Sequence, residues 1–281
     1  MTSGQAEAGA SFALDTGSRE VLHAHLSEQR WPPASLTKLM TTYLALQAIE
    51  SGRLTPQSPV RMSARANAQP FNTMNYSEGH QIPLDTALRL LLVKSANDVA
   101  VAVAETVGGS FDAFVADMNA TAARIGMTET QFANPNGLHE ARHYSTARDM
   151  GVLAMAIWTD FPQYGPLFSL PSLTLEGQTM KNFNPLLDGF PGADGMKTGY
   201  VCESGYNLVG SAVRDGRRVV TVVLGATSEA ERAEVAQALT AEALGARPAQ
   251  PVGAQSVQPD PVNLRPYVCG GQVMPGALSG F

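Results

Sequence analysis

Strand-like segments sit at both ends of this chain and helical ones fill its middle, an order that constrains the fold more than any other feature. Ala10 to Asp15 and Glu20 to Ala24 flank Thr16-Gly17-Ser18-Arg19 and read as a β-hairpin. Late in the chain, Leu170 to Leu175 and Gly195 to Thr198 read as strands. Gly205 to Val213 and Arg217 to Gly225 read as a long hairpin turning at Arg214-Asp215-Gly216. Between these lie helical patterns: Leu36 to Ile49 closed by Gly52, Leu84 to Val93, Asp98 to Val107 closed by Gly108-Gly109, Ser110 to Ile125 closed by Gly126, and Thr146 to Trp158. Ser228 to Leu244 is a closing helix, with Ser228 and Glu231 spaced as a capping box. Residues from about Pro56 to Pro83 read as irregular, and Asn134-Pro135-Asn136-Gly137 as a turn. One sheet built from both ends, with a mostly helical lobe inserted between them, satisfies this order, so the predicted class is α/β of the α+β kind. A chain of 281 residues is long enough to bury the core this needs.

Residues 1–245 are expected to form that domain. Residues 246–281 shift to Pro, Gly, Gln and Val and are too few for an independent domain without staples, so a tail is expected, packed on the body or mobile. The tail shows no basic amphipathic helix and no run is long enough to span a bilayer, so no membrane anchor is expected in this chain. A net charge of −6 argues against a nucleic-acid binder and against a surface that seeks anionic lipid. Met1 to Glu7 lacks a basic-plus-apolar signal segment, which fits a cytosolic protein or a chain whose signal has been replaced. Cys202 and Cys269 have no metal-type spacing; a disulfide and two free thiols are both open, and free thiols are the expectation because nothing local shows that they meet.

Chemistry begins at Pro33-Ala34-Ser35-Leu36-Thr37-Lys38. On a helix, residues three apart share a face, so the Ser35 hydroxyl and the Lys38 amine can enter one pocket. Serine becomes a nucleophile when a base takes its proton, and a lysine kept neutral by burial or by a second cation can be that base. Alone, Ser35 is better explained as a helix cap. Two further motifs follow in order: Ser95-Ala96-Asn97 between two helical segments, and Lys197-Thr198-Gly199 on a late strand. The chain has only four lysines, Lys38, Lys94, Lys181 and Lys197, and two of them fall on motif positions. Singly, Ser95 could cap a helix, Asn97 could be a turn residue and Lys197 a solvated strand charge. Together the three match the Ser-x-x-Lys, Ser-x-Asn, Lys-Thr-Gly set of penicillin-interacting serine acyl enzymes.

The strings around the motifs narrow this. Pro33 to Lys38, Ser95-Ala96-Asn97-Asp98, Tyr144-Ser145-Thr146-Ala147-Arg148-Asp149-Met150 and Gly205-Tyr206-Asn207-Leu208-Val209 resemble the low-molecular-mass D-alanyl-D-alanine carboxypeptidases of bacterial cell walls, over roughly residues 10–245. The resemblance implies a β-lactamase/transpeptidase-like fold with an antiparallel sheet. It implies an acyl-enzyme mechanism on the terminal D-Ala-D-Ala of peptidoglycan stem peptides, acylation by β-lactams, and a periplasmic or extracytoplasmic home. No cofactor or metal is expected. Carried onto this chain, Ser35 is the nucleophile and Lys38 the base. Ser95 bridges Lys38 and Lys197 and relays a proton to the leaving D-alanine. Asn97 bonds the substrate amide, and Lys197 with Thr198 holds the free terminal carboxylate. Gly199 lets substrate backbone lie along the strand edge, and the backbone N–H groups of Ser35 and Tyr200 form an oxyanion hole.

Departures from the pattern bear on substrate preference. Tyr200 stands where many relatives carry His, Asn182-Phe183-Asn184 where many have Asn-Arg-Asn, and Asn136 where His is frequent. Cys202, just past Lys-Thr-Gly, reads as a small buried residue. His139-Glu140-Ala141-Arg142-His143 matches the zinc-protease string, yet Pro135 and Gly137 precede it and the next helix starts near Ser145, so solvated loop residues are expected there. A β-lactamase is the competing enzyme; it needs a glutamate-activated water, and Glu129 lies in the right interval without resembling that loop. A non-catalytic penicillin-binding or wall-recognition module is the competing non-enzyme.

Overall fold

The computed structural model describes residues 9–71, 74–245 and 259–272. β1 (Ala10–Asp15) and β2 (Val21–His25) form the expected hairpin. A 3-10 turn at Ala34–Thr37 feeds α1 (Lys38–Glu50). The region read as irregular holds β3 (Pro59–Arg61), α2 (Ala64–Asn67) and β4 (Gln81–Pro83), with β3 and β4 paired. α3 (Leu84–Arg89) runs into a π turn at Leu90–Lys94, then come α4 (Asn97–Gly108), α5 (Phe111–Ile125), α6 (Ala147–Asp160) and the short α7 (Gly165–Phe168). β5 (Ser172–Leu175) pairs with β6 (Gln178–Lys181), a strand the sequence reading missed. β7 (Ala193–Val201), β8 (Gly205–Arg214) and β9 (Arg217–Ala226) precede α8 (Glu229–Gly245) and the single turn α9 (Arg265–Val268).

Among the described residues, five strands form one antiparallel sheet in the order β2-β1-β9-β8-β7, so the N-terminal hairpin docks directly on β9. β9 shows why its sequence is a continuous apolar run. Val220, Val222 and Leu224 face the main core under α1 and α6, while Val219 and Val223 face α8 on the other side, with Thr221 bonded to Thr240 there. Strand side chains alternate between faces, and both faces of this strand are covered. α1 lies between the sheet and the lobe and is buried almost all round, which is why its apolar residues show no single stripe.

Two contacts bind the segment before α1 to the sheet. The Trp31 indole N–H donates to the Ser204 carbonyl at 2.9 Å, and Trp31 pairs through its backbone with Ser145. Asn207 on β8 donates to the carbonyls of Pro32 (3.1 Å) and Pro33 (3.3 Å) while accepting from the Gly225 N–H (3.0 Å). The Gly-Tyr-Asn string thus fastens the turn that bears Ser35 to the sheet.

Part of the tail is packed. Arg30 donates to the Pro259 carbonyl, Leu264 is buried with its N–H on the Glu203 carbonyl (2.8 Å), and Arg265 pairs with Glu203. Cys202 and Cys269 form a disulfide, their Cα atoms 5.7 Å apart, which corrects the expectation of free thiols and of Cys202 as a merely buried small residue. The partners are 67 residues apart in sequence, so local spacing carried no sign of the pairing. Residues 246–258 and 273–281, the rest of the expected tail, lie outside the described residues. No single helix among the described residues is long and apolar enough to cross a membrane.

Candidate active site

The nucleophile turn is held in a conformation that L-residues seldom adopt. Ala34 has φ 50°, and beneath it Gly137, at φ 86°, lies so close that a Cβ there would overlap the Ala34 carbonyl. A left-handed non-glycine residue costs about 1–2 kcal/mol, which the surrounding contacts must offset. Ser95 is also left-handed at φ 61°, delivered by the π turn that ends at Lys94. Such wide turns recur at functional sites.

These elements bring Lys38 against Ser35. Lys38 is fully buried, and its Nζ lies 2.9 Å from Ser35 Oγ, 2.8 Å from Asn97 Oδ1 and 2.5 Å from the Asn136 carbonyl. Burial, then the charge of Lys197, holds its pKa well below the usual lysine range, against a smaller opposing pull from Asp98. In the neutral amine, the two N–H bonds go to the two carbonyl-type acceptors. The lone pair then takes the remaining tetrahedral direction, toward Ser35 Oγ. This is the geometry of a base aimed at a hydroxyl proton.

Ser95 lines the same cleft. Its Oγ is buried and has no hydrogen-bond partner among the described residues, so it does not bridge Lys38 and Lys197 as anticipated. The reason is visible: Lys38 is saturated by Ser35, Asn97 and Asn136, while Lys197 Nζ donates to the Thr198 carbonyl at 2.9 Å. Asn97 likewise differs from expectation. Its oxygen holds Lys38 and its Nδ2 donates to the Pro70 carbonyl (3.1 Å), so its amide is engaged in orienting the base.

Behind the opposite wall, Lys197 is 1% exposed, and burial followed by the charge of Arg232 lowers its pKa to about 7. Thr198, Gly199 and Tyr200 line the cleft. Gly199 differs in its reason. A Cβ there would lie 3.0 Å from the Pro33 carbonyl and 3.1 Å from the backbone nitrogens of Ser35 and Leu36, so the missing side chain lets β7 press on the nucleophile turn. Arg232 was missed. It is 5% exposed, lines the cleft and donates to the Phe183 carbonyl (3.4 Å). Its spacing with Val235, Ala236 and Leu239 on the inner face of α8 was the available signal.

The cleft encloses about 640 Å³ and couples a cationic, polar floor to an aromatic rim. Phe71, Phe183 and Tyr200 stand at its mouth, 83%, 45% and 42% exposed, and Lys94 lies over the Phe183 ring. Two competing motifs are engaged elsewhere. Glu129 accepts from Arg30 and does not line the cleft. His139 to His143 is a loop, not a helix, and His143 is buried. It accepts from the Ala133 N–H at Nδ1 (3.0 Å) and lies 2.8 Å from Thr37 Oγ1 at Nε2. Burial, then the nearby His139 and Lys38, lowers its pKa to about 3.

Comparison with known proteins adds to this geometry. A family model described as D-alanyl-D-alanine carboxypeptidase matches residues 1–228. D-alanyl-D-alanine carboxypeptidase DacD of Salmonella typhimurium is 37% identical over 240 residues, which cover 83% of this chain and 62% of the relative. Among solved structures, penicillin binding protein 5 from Haemophilus influenzae superposes with a TM-score of 0.80 at 33% identity, covering 85% of this chain and 71% of that one. Penicillin-Binding Protein D2 from Listeria monocytogenes, in its cefotaxime bound form, gives 0.78 at 27%, covering 84% and 97%. The chain spans about three fifths of the length of the curated relatives it matches.

Proposed function

This chain belongs to the D-alanyl-D-alanine carboxypeptidase family, and we propose that it is a serine D,D-carboxypeptidase removing the terminal D-alanine from peptidoglycan stem peptides. The observation that carries the reading is Lys38, buried, with two hydrogen-bond acceptors and Ser35 Oγ around its Nζ.

Ser35 Oγ attacks the carbonyl of the penultimate D-alanine as Lys38 takes its proton. The N–H groups of Ser35 and Tyr200 receive the developing oxyanion, a contribution of about 3 kcal/mol per donor in comparable sites. The C–N bond breaks as the Ser95 hydroxyl, which has no partner among the described residues, gives its proton to the departing amine and takes from Lys38 the proton that came from Ser35. Water then attacks the Ser35 ester while Lys38, neutral again, takes its proton and returns it to Ser35 Oγ as the acyl–oxygen bond breaks. A free terminal carboxylate fits against Thr198 and the Arg232 cation, with the buried Lys197 amine behind them on the Thr198 carbonyl, which favours removal of an end residue. The catalytic unit is residues 1–245, with 259–272 strapped onto it. β-Lactams acylate the same serine, in keeping with the cefotaxime-bound relative. The disulfide supports an extracytoplasmic home, where such bonds persist.

Intact-protein mass spectrometry after incubation with benzylpenicillin tests the reading. Wild type is expected to gain one penicilloyl mass and Ser35→Ala none. Release of D-alanine from a D-Ala-D-Ala peptide should fall on the order of 10⁴-fold or more in that variant. Penicillin left untouched with no adduct would sink the proposal; penicillin consumed without an adduct, dependent on Ser35, would mark a β-lactamase.

A further inference from the structure

We propose that His143 is a positioning residue that, through Thr37, sets the height at which the Asn136 carbonyl meets Lys38; this rests on the catalytic reading of Ser35 and Lys38 above. Neither Thr37 nor His143 lines the cleft, so neither touches substrate. Both are buried directly behind the nucleophile, at 0% and 2% exposure.

The ring's two nitrogens have separate duties. Nδ1 accepts from the Ala133 N–H at 3.0 Å, so it carries no proton. The proton is therefore on Nε2, which donates to Thr37 Oγ1 at 2.8 Å. Phe132 meets the ring edge-on, centroids 5.8 Å apart, and fixes its plane. The imidazole is thus a rigid spacer with an acceptor on one side and a donor on the other, in a place closed to solvent.

What it spaces is the turn that serves the base. Thr37, Lys38 and Thr41 reach from the nucleophile segment to the 133–137 turn as three ties. Thr37 reaches Ala133 through His143, Lys38 reaches the Asn136 carbonyl, and Thr41 Oγ1 donates to the Pro135 carbonyl at 2.7 Å. Lys38 Nζ is bound at 2.5 Å by the backbone oxygen of Asn136, whose side chain in turn donates to Gln69 Oε1 (2.8 Å) and accepts from the Leu138 N–H (3.2 Å), so the His143 tie acts on the opposite, N-terminal end of the turn. Removing the His143 tie frees the N-terminal end of the turn, and the Asn136 carbonyl retreats from Nζ. Two effects follow. The amine loses an N–H acceptor that fixed its lone pair on Ser35, so acylation slows. The ammonium form loses the same acceptor, so the Lys38 pKa falls further and the acid limb of the rate profile moves to lower pH. The charged and titratable groups facing Lys38, namely Lys197 from β7, Asp98 from α4 and His143 itself from the loop, otherwise stay in place.

The test is the second-order rate of benzylpenicillin acylation against pH for wild type, His143→Gln, Thr37→Val and Thr37→Ser, each checked for a cooperative thermal transition. His143→Gln and Thr37→Val are expected to lower the plateau roughly 10- to 100-fold, the scale of a small misplacement of a reacting group. Both should also shift the acid limb downward, and Thr37→Ser, which keeps the hydroxyl, should restore most of the rate. If His143→Gln does not fold, Thr37→Val decides alone. An unchanged plateau overturns the inference, as does a lowered plateau with an unmoved limb, which would mean only fewer intact molecules. A wild type that takes up no penicillin on Ser35 overturns the catalytic reading itself, and this inference with it.

Discussion

Gly199 separates what a motif says from what a fold requires. Within Lys-Thr-Gly it was read as room for substrate, yet the space above its Cα is filled by the backbone of Pro33, Ser35 and Leu36. Gly199→Ala should therefore displace the nucleophile turn itself. Overpacking of this kind costs about 1–3 kcal/mol, measurable by denaturant unfolding. Benzylpenicillin acylation should slow by roughly 100-fold, because the displaced atoms carry the nucleophile. Ser35, Lys38, Ser95, Lys197 and Thr198 were legible because each is a distinctive side chain at a fixed spacing. The Asn136 carbonyl was not, since a backbone oxygen has no signature in sequence. Arg232 and the Thr37–His143 tie escaped for another reason: their partners lie far along the chain, and His143 was seen only as half of a zinc string that its loop cannot support.

At the scale of elements, local signals worked where the structure is locally determined. Ser228 caps α8 by accepting from the Glu231 N–H, and the Glu231 carboxylate reaches back to the Thr227 N–H. Gly109 and Gly126 end their helices in the left-handed region, as their positions promised. The π turn at Leu90–Lys94 was read as ordinary helix, because its apolar pattern continues that of α3 and its widening reflects packing. β3, β4 and β6 are three- or four-residue strands in two-stranded pairs, β3 with β4 and β6 with β5, too short to show a period. The clasp between β8 and the Pro32–Pro33 segment carries the element-level prediction. Asn207 is fully buried, so Asn207→Ala would orphan two carbonyls and the Gly225 N–H. A loss of about 2–3 kcal/mol is expected, readable in the denaturation midpoint. Acylation should slow as well, because the segment released leads straight into Ser35.

The described residues are built on one five-stranded sheet with a helical lobe on one face and α8 on the other, and the proposed catalytic groups come from every layer. Ser35 and Lys38 come from the turn and helix packed on the sheet, Ser95 and Asn97 from the lobe, Lys197 and Thr198 from the edge strand β7, and Arg232 from α8. That order was legible because the sheet had to unite both ends of the chain. The way residues 259–272 close over the body was not, since it depends on a cysteine pair 67 residues apart. Closing a loop of that length in the unfolded chain is worth about 4 kcal/mol by chain entropy. A Cys202→Ser, Cys269→Ser double variant should therefore melt well below wild type. Its benzylpenicillin acylation at room temperature should persist, since neither cysteine lines the cleft.

The same bond also changes what a break in the chain means. From Cys202 to Cys269 the polypeptide is a closed covalent ring containing β8, β9 and α8, with β7 running straight into it. A cut peptide bond inside that ring opens the ring but releases no fragment. Arg232 stays joined to the strand that bears Lys197, and the molecule parts into two pieces only when a reductant reaches the sulfurs.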